Sequence, residues 1–126
     1  MDKGKKLVKA IGVDFDGVIH TYERGWQGGE IYGEVMPGAI EGLETLRERF
    51  AVFIHTVREP RSIVDWMKGR LEVPCIADDD PTRKFWNDQS RILVTNKKLV
   101  AVAYIDDRAI PHRNWTQTMD EADKLW

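Results

Sequence analysis

Four aspartates stand in two close pairs, Asp14 with Asp16 and Asp106 with Asp107, each pair behind an apolar run that reads as a strand. Unpaired carboxylates are costly at the end of a buried strand, so each pair needs a chemical reason or a counter-charge. In an extended segment residues i and i+2 point the same way, which lets Asp14 and Asp16 face one pocket. Gly17 follows at once and allows the chain to turn sharply away. Four carboxylates brought together repel one another unless a cation sits among them. Oxygen-only ligands with access to water favour Mg²⁺ over zinc, and the sequence offers neither a cysteine cluster nor a histidine pair to compete. A hard cation beside an exposed carboxylate points to phosphate chemistry, in which the metal aligns and neutralises a phosphoryl group. An aspartate can itself be the nucleophile, through an aspartyl-phosphate. A carboxylate two residues on can protonate the leaving oxygen and later deprotonate the attacking water.

Such a site needs a scaffold that brings strand ends together. Leu7 to Val13 reads as a first strand and Ala51 to His55 as a second, ending on Thr56. Val73 to Ala77 is a weaker strand, and Leu99 to Ile105 reads as a strand buried on both faces. Phe85-Trp86 and Arg91 to Thr95 flank a polar turn and predict a hairpin. Between the strands, Ile40, Leu43, Leu46 and Phe50 give a helix from about Pro37 to Arg49, while Pro60 opens another with Ile63, Val64, Met67 and Leu71 on one face. Trp115, Met119, Ala122 and Trp126 follow a helical period and predict a closing helix docked on the body. Glycines at 25, 28, 29 and 33 among aromatics predict a hairpin-like flap over about residues 20–36. The strand–helix–strand order predicts a mainly parallel α/β sheet with helices on both faces. In such sheets ligands bind outside the carboxyl ends of the strands.

The 126 residues predict a single domain, and 42% hydrophobic with 32% charged residues fits a folded chain. A net charge of -2 argues against a general nucleic-acid-binding surface or an anionic-membrane binder. The longest uncharged apolar run, Leu99 to Ile105, is too short to cross a bilayer. Lys3, Lys5 and Lys6 imitate the front of a signal peptide, but Lys9 interrupts the apolar stretch behind them. The lone Cys75 reads as a small buried hydrophobe and fits a reducing, cytoplasmic setting.

Three segments, taken in order, resemble the haloacid dehalogenase-like (HAD) superfamily. "VDFDGV" resembles its first motif, "VFIHTVR" its second, and "NKKLVAVAYIDDRA" its lysine motif and final acidic pair. The resemblance spans about Leu7 to Ala109 and implies a Rossmann-like hydrolase domain whose cap is reduced to the flap. It implies that Asp14 is the nucleophile and a metal ligand, and that Asp16 is the general acid/base, binding the metal through its backbone carbonyl. Thr56 then bonds the phosphoryl oxygens, and Lys98, or else Lys97, neutralises charge. Asp107 ligates the metal directly, with Asp106 acting through water or positioning the lysine. A carboxylate at Asp16 points to phosphoryl transfer, whereas Val18 stands where the phosphatases often carry threonine. The implied activity is a Mg²⁺-dependent phosphatase acting on a small phosphorylated substrate, a nucleotide or a polynucleotide end.

Other residues invite blander readings. Arg58 reads either as a clamp for a substrate anion or as a surface residue. Tyr22, Trp26 and Tyr32 either stack on a substrate ring or pin the flap. Trp66, Trp86, Trp115 and Trp126 read mostly as core or half-buried. Asp78-Asp79-Asp80 reads as a solvated loop, and His20 and His55 as packing or exposed residues without a histidine partner. Two further readings compete: a catalytically weak domain that binds phosphorylated ligands or a partner, and a receiver-type phosphoacceptor. The lysine ahead of a terminal acidic pair argues against the receiver.

Overall fold

The computed structural model describes residues 8–125. Leu7 at the head of the first strand, the early lysines and Trp126 therefore lie outside the described residues. The elements are β1 (Ala10–Asp14), α1 (Ala39–Arg47), β2 (Ala51–His55), α2 (Pro60–Met67), β3 (Cys75–Ala77), β4 (Ile92–Thr95), β5 (Ala103–Ile105) and α3 (Trp115–Asp123). The strands make one five-stranded sheet in the order β3-β4-β2-β1-β5, and every pairing is parallel. The α/β Rossmann-like class read from the sequence is the one observed.

Strand order explains which face each connection covers. The steps from β1 to β2 and from β2 to β3 run toward one edge, and those from β3 to β4 and β4 to β5 run back. Right-handed crossovers then put the first two connections on one face and the last two on the other. Leu43 of α1 and Ile63 and Met67 of α2 accordingly pack with Ile11, Val13, Val52, Ile54, Ile92 and Val94 on the first face. On the second face Ala51, Phe53 and Leu93 lie under Trp86 and Leu99, with Tyr104 alongside. Helices on both faces were expected, but irregular chain covers the second. Its connections carry Pro81 and aspartates that turn back on their own backbone, Asp80 to the Thr82 N–H and Asp88 to the Ser90 N–H, which competes with helix formation.

Local signals set the helix ends. Gly38, at φ 81°, stands just before α1, which starts at Ala39, two residues later than the sequence pattern indicated. Glu59 caps α2 by accepting from the Ser62 N–H at 3.1 Å, and Pro60 needs no donor in the first turn. The expected 85–95 hairpin does not form. Ile92–Thr95 instead pairs in parallel between β2 and β3, and Trp86 turns onto the sheet, 6% exposed. The run Leu99–Ile105 is not buried on both faces: its strand is only Ala103–Ile105 at the sheet edge, with Val100 74% exposed. The closing helix forms, yet it packs on no other named element, and Trp115 is exposed rather than half-buried. No helix among the described residues is long and apolar enough to cross a membrane.

After β1 the flap is closed at its base by Thr21 N–H to Glu34 O and Met36 N–H to Ile19 O, without regular strands. Tyr32 pins it, accepting from the Arg24 N–H and donating to Gly25 O at 2.8 and 2.9 Å. Cys75 in β3 is partly buried against the core, and burial, with Glu44 adding, pushes its thiol up to about 12. It offers no thiolate chemistry at neutral pH.

Candidate active site at the carboxyl ends of β1, β2 and β5

The parallel register puts the last residues of β1 and β2 side by side, Asp14 opposite His55, with β5 on the other flank of β1. Asp14, Asp106 and Asp107 each bring a carboxylate oxygen within 4.8 Å of the others. Gly17 sits at φ 85° directly after β1, and a Cβ there would run into the Asp107 carboxylate. Glycine is thus required twice, for the left-handed backbone and for the close approach of Asp107. Burial raises the pKa of Asp14, and Asp106, Asp107 and Asp16 raise it further while His55 opposes. The His55 Nδ1 lies 3.8 Å from Asp14 Oδ1. Among the described residues no lysine or arginine ion-pairs with these three aspartates. An all-oxygen, partly exposed set without a lysine or arginine ion pair fits a hard divalent cation.

Beside the trio lies a small pocket of about 70 Å³ lined by Asp14, His55, Lys98, Tyr104, Ile105 and Asp106. The Lys98 ammonium stands 5.1 Å from the Tyr104 ring centroid. Lys97 points elsewhere, its Nζ donating to Asp78 Oδ2 at 2.8 Å. Of the two candidate lysines, Lys98 is the one at the pocket. A larger hollow of about 450 Å³ along α3 is lined by residues such as Arg113, Asp120 and Lys124 and converges on no such group.

Asp16 does not line that small pocket; its carboxylate meets Arg58 and His20 instead. Its Oδ1 accepts from His20 Nδ1 at 2.8 Å and from Arg58 Nη2 at 3.1 Å, and its Oδ2 accepts from Arg58 Nε at 2.9 Å. His20 is fully buried, stacked on Phe15, and its Nε2 accepts from the Gly33 N–H at 2.9 Å. That bond leaves the ring proton on Nδ1, aimed at Asp16. Arg58, read as a substrate clamp or a surface residue, is not at the surface: it is 2% exposed, and it also donates to Gly29 O at 2.8 Å. It ties the flap to Asp16. Trp26, 54% exposed, lies against Arg58 at 5.1 Å.

Thr56 is buried, and its hydroxyl oxygen accepts from the Arg58 N–H at 2.9 Å, leaving the hydroxyl proton to donate. Asn96 Nδ2 donates to Thr56 O and Arg58 O at 2.8 and 2.7 Å, fixing this loop against the turn after β4. Two residues gain importance that the sequence did not give them. His55 could have been found from the pairing of two strands whose ends both carry chemistry. Asp78 is no solvated loop residue: its side chain is 1% exposed and enclosed by cations. Nothing near Asp78 in the chain signals partners as distant as Thr95 and Lys97.

No family model matches the chain, and no curated protein matches it. The fold is similar to a solved structure described as that of the conserved protein coded by a locus from Bacteroides thetaiotaomicron, with TM-score 0.53 and 23% identity. The match covers 94% of this chain and 93% of that one, and it supports the shared fold.

Proposed function

We propose that the protein is a Mg²⁺-dependent phosphatase of the HAD type, hydrolysing a phosphate monoester through an aspartyl-phosphate on Asp14. The observation that carries this reading is the Asp14–Asp106–Asp107 trio, three carboxylates gathered at strand ends without a lysine or arginine ion pair, and with Lys98 in the pocket beside them. Mg²⁺ held by these three aspartates would neutralise charge on the phosphoryl oxygens. Asp14 attacks phosphorus as the bond to the leaving oxygen breaks. Asp16 gives that oxygen a proton, then takes one from the water that attacks phosphorus and frees Asp14. Thr56 donates its hydroxyl proton to a phosphoryl oxygen, and Lys98 balances charge on Asp14. Arg58 and His20 position Asp16, and Lys97 has no part in binding substrate.

The test is phosphate release with Mg²⁺ over aryl phosphate, nucleotides, sugar phosphates and phosphorylated oligonucleotide ends. Turnover that EDTA and Asp14→Asn both abolish supports the reading, and no metal-dependent turnover on any of these overturns it. Trp26→Ala on the best substrate asks whether the flap selects, with KM expected to rise about 3- to 10-fold if the ring stacks on it. One observation favours a second reading, a phosphate-ligand binder with little turnover: both oxygens of Asp16 are already engaged by Arg58 and His20. Calorimetry showing phosphate-ester binding without release would support it. A receiver-type role is disfavoured, since Asp78, the carboxylate directly after β3, is sealed from solvent.

A further inference from the structure

We propose that Asp78 is a positioning residue for this centre, clamping Thr95 and Lys97 so that the turn after β4 presents Lys98 to the pocket beside Asp14. The inference rests on the phosphatase reading for its role and on the geometry for its mechanism. Asp78 follows β3, and its N–H continues the ladder to Val94 O at 2.8 Å. Its Oδ2 accepts from both Thr95 Oγ1 at 2.7 Å and Lys97 Nζ at 2.8 Å. Thr95 Oγ1 accepts in turn from the Lys97 N–H at 3.0 Å, closing a ring of bonds around residues 95–97. Asn96 fastens the same turn to the end of β2 through Thr56 O and Arg58 O. With one side held by Asp78 and the other by β2, and with Leu99 buried just beyond, Lys98 has a fixed point of departure.

The arrangement also separates two adjacent lysines. Lys97 is kept from the trio by an ion pair with a buried carboxylate, so a single ammonium reaches the pocket. Arg83 holds the other oxygen of Asp78, Nε to Oδ1 at 2.8 Å, and among the described residues makes no hydrogen bond to the turn. That asymmetry supplies the control. Both Asp78→Asn and Arg83→Met disturb a buried ion pair, but only the first loosens the turn.

The experiment compares the two variants by kinetics and by nuclear Overhauser contacts between Lys98 side-chain protons and the Tyr104 ring. Asp78→Asn is expected to lower kcat roughly 10- to 100-fold with KM within about threefold, as a misaimed group does, and to lose the Lys98–Tyr104 contacts. Arg83→Met is expected to melt lower yet keep both kcat and the contacts. Folded Asp78→Asn with wild-type kcat and contacts overturns the proposal, as does Arg83→Met losing as much as Asp78→Asn. If Asp78→Asn does not fold, Lys97→Met, which leaves Asp78 with Arg83 and Thr95, is expected to weaken the same contacts and lower kcat about threefold. Unchanged contacts and kcat there overturn the proposal. Should the wild-type protein release no phosphate, the phosphatase reading fails, and the Lys98–Tyr104 contacts still decide whether Asp78 positions the lysine.

Discussion

Two groups of carboxylates occupy carboxyl ends of the same sheet and have opposite surroundings. Asp78, after β3, is buried, and that burial pushes its pKa up. Hydrogen bonds from Lys97, Arg83, Thr95 and the Asp80 N–H outweigh it and hold the carboxyl well below the usual range. Asp14, after β1, is only partly buried, yet its pKa moves up, because burial and three neighbouring aspartates act together against His55 alone. The first group is complete within the protein; the second has no lysine or arginine ion pair among the described residues. Fold and function divide along that line. A buried carboxylate closed by its own cations is held by the chain alone, while under the proposed function the trio at the strand ends would take its cation from outside.

The largest effect expected to test this contrast is on turnover. Asp14→Asn should lower kcat roughly 10⁴-fold or more, as loss of a nucleophile does, measured on the best phosphate ester. An activity within tenfold of wild type would remove the functional half of the comparison. Next in size, Asp107→Asn should raise the Mg²⁺ concentration for half-maximal activity by about 10-fold or more, since ligand charge sets affinity. Thermal unfolding provides a check without substrate: Mg²⁺ at ten times its Kd should stabilise the wild-type protein by about 1.4 kcal/mol. Asp78→Asn should leave that Mg²⁺ effect in place.

Stability against pH separates the two groups by sign. The folded pKa of Asp78 lies below its unfolded value, so its stabilisation is present above the ordinary carboxylate range and is lost as pH falls toward the folded value. Asp78→Asn should therefore destabilise by about 2 kcal/mol at neutral pH, and by progressively less in acid, by chemical denaturation. Asp14 behaves oppositely. Its folded pKa is raised, so its contribution falls as pH rises through the ordinary carboxylate range to the raised value. In metal-free buffer Asp14→Asn should thus stabilise by about 1 kcal/mol or less at neutral pH, and not at all at acid pH. Destabilisation at neutral pH would show that Asp14 is compensated after all.

The parts of this molecule legible in the sequence are those that local pattern determines. The apolar runs that form β1 and β2, the proline opening α2, and glycine after Asp16 all act over a few residues, and the observed elements follow them. The parallel class followed from the strand–helix order. What was not legible depends on distant neighbours. An apolar run such as Leu99–Ile105 suits a buried strand, but strand order places it at an edge, where Val100 and Val102 face solvent. Arg91 to Thr95 has the pattern of a hairpin arm, whereas its partners are the strands β2 and β3 on either side. In the site, Asp14, Asp106 and Asp107 were readable because they follow strands directly. The pairing of Asp16 with Arg58, 42 residues on, was not, and it gives the buried Arg58 a partner within the protein.

Asp106 and Asp107 hang from β5, three residues long and paired on one side only. Short edge strands open at the low end of a domain's range of local unfolding energies. Each opening of β5 from β1 would take the trio apart, so the fraying of one sheet edge and the proposed cation binding would be a single equilibrium. A cation bridging Asp14 to its two partners would act as a clasp on that edge. Amide hydrogens of residues 103–105 would then exchange more slowly in Mg²⁺, while those of β3 at the opposite edge, fastened through Asp78, would keep their pace.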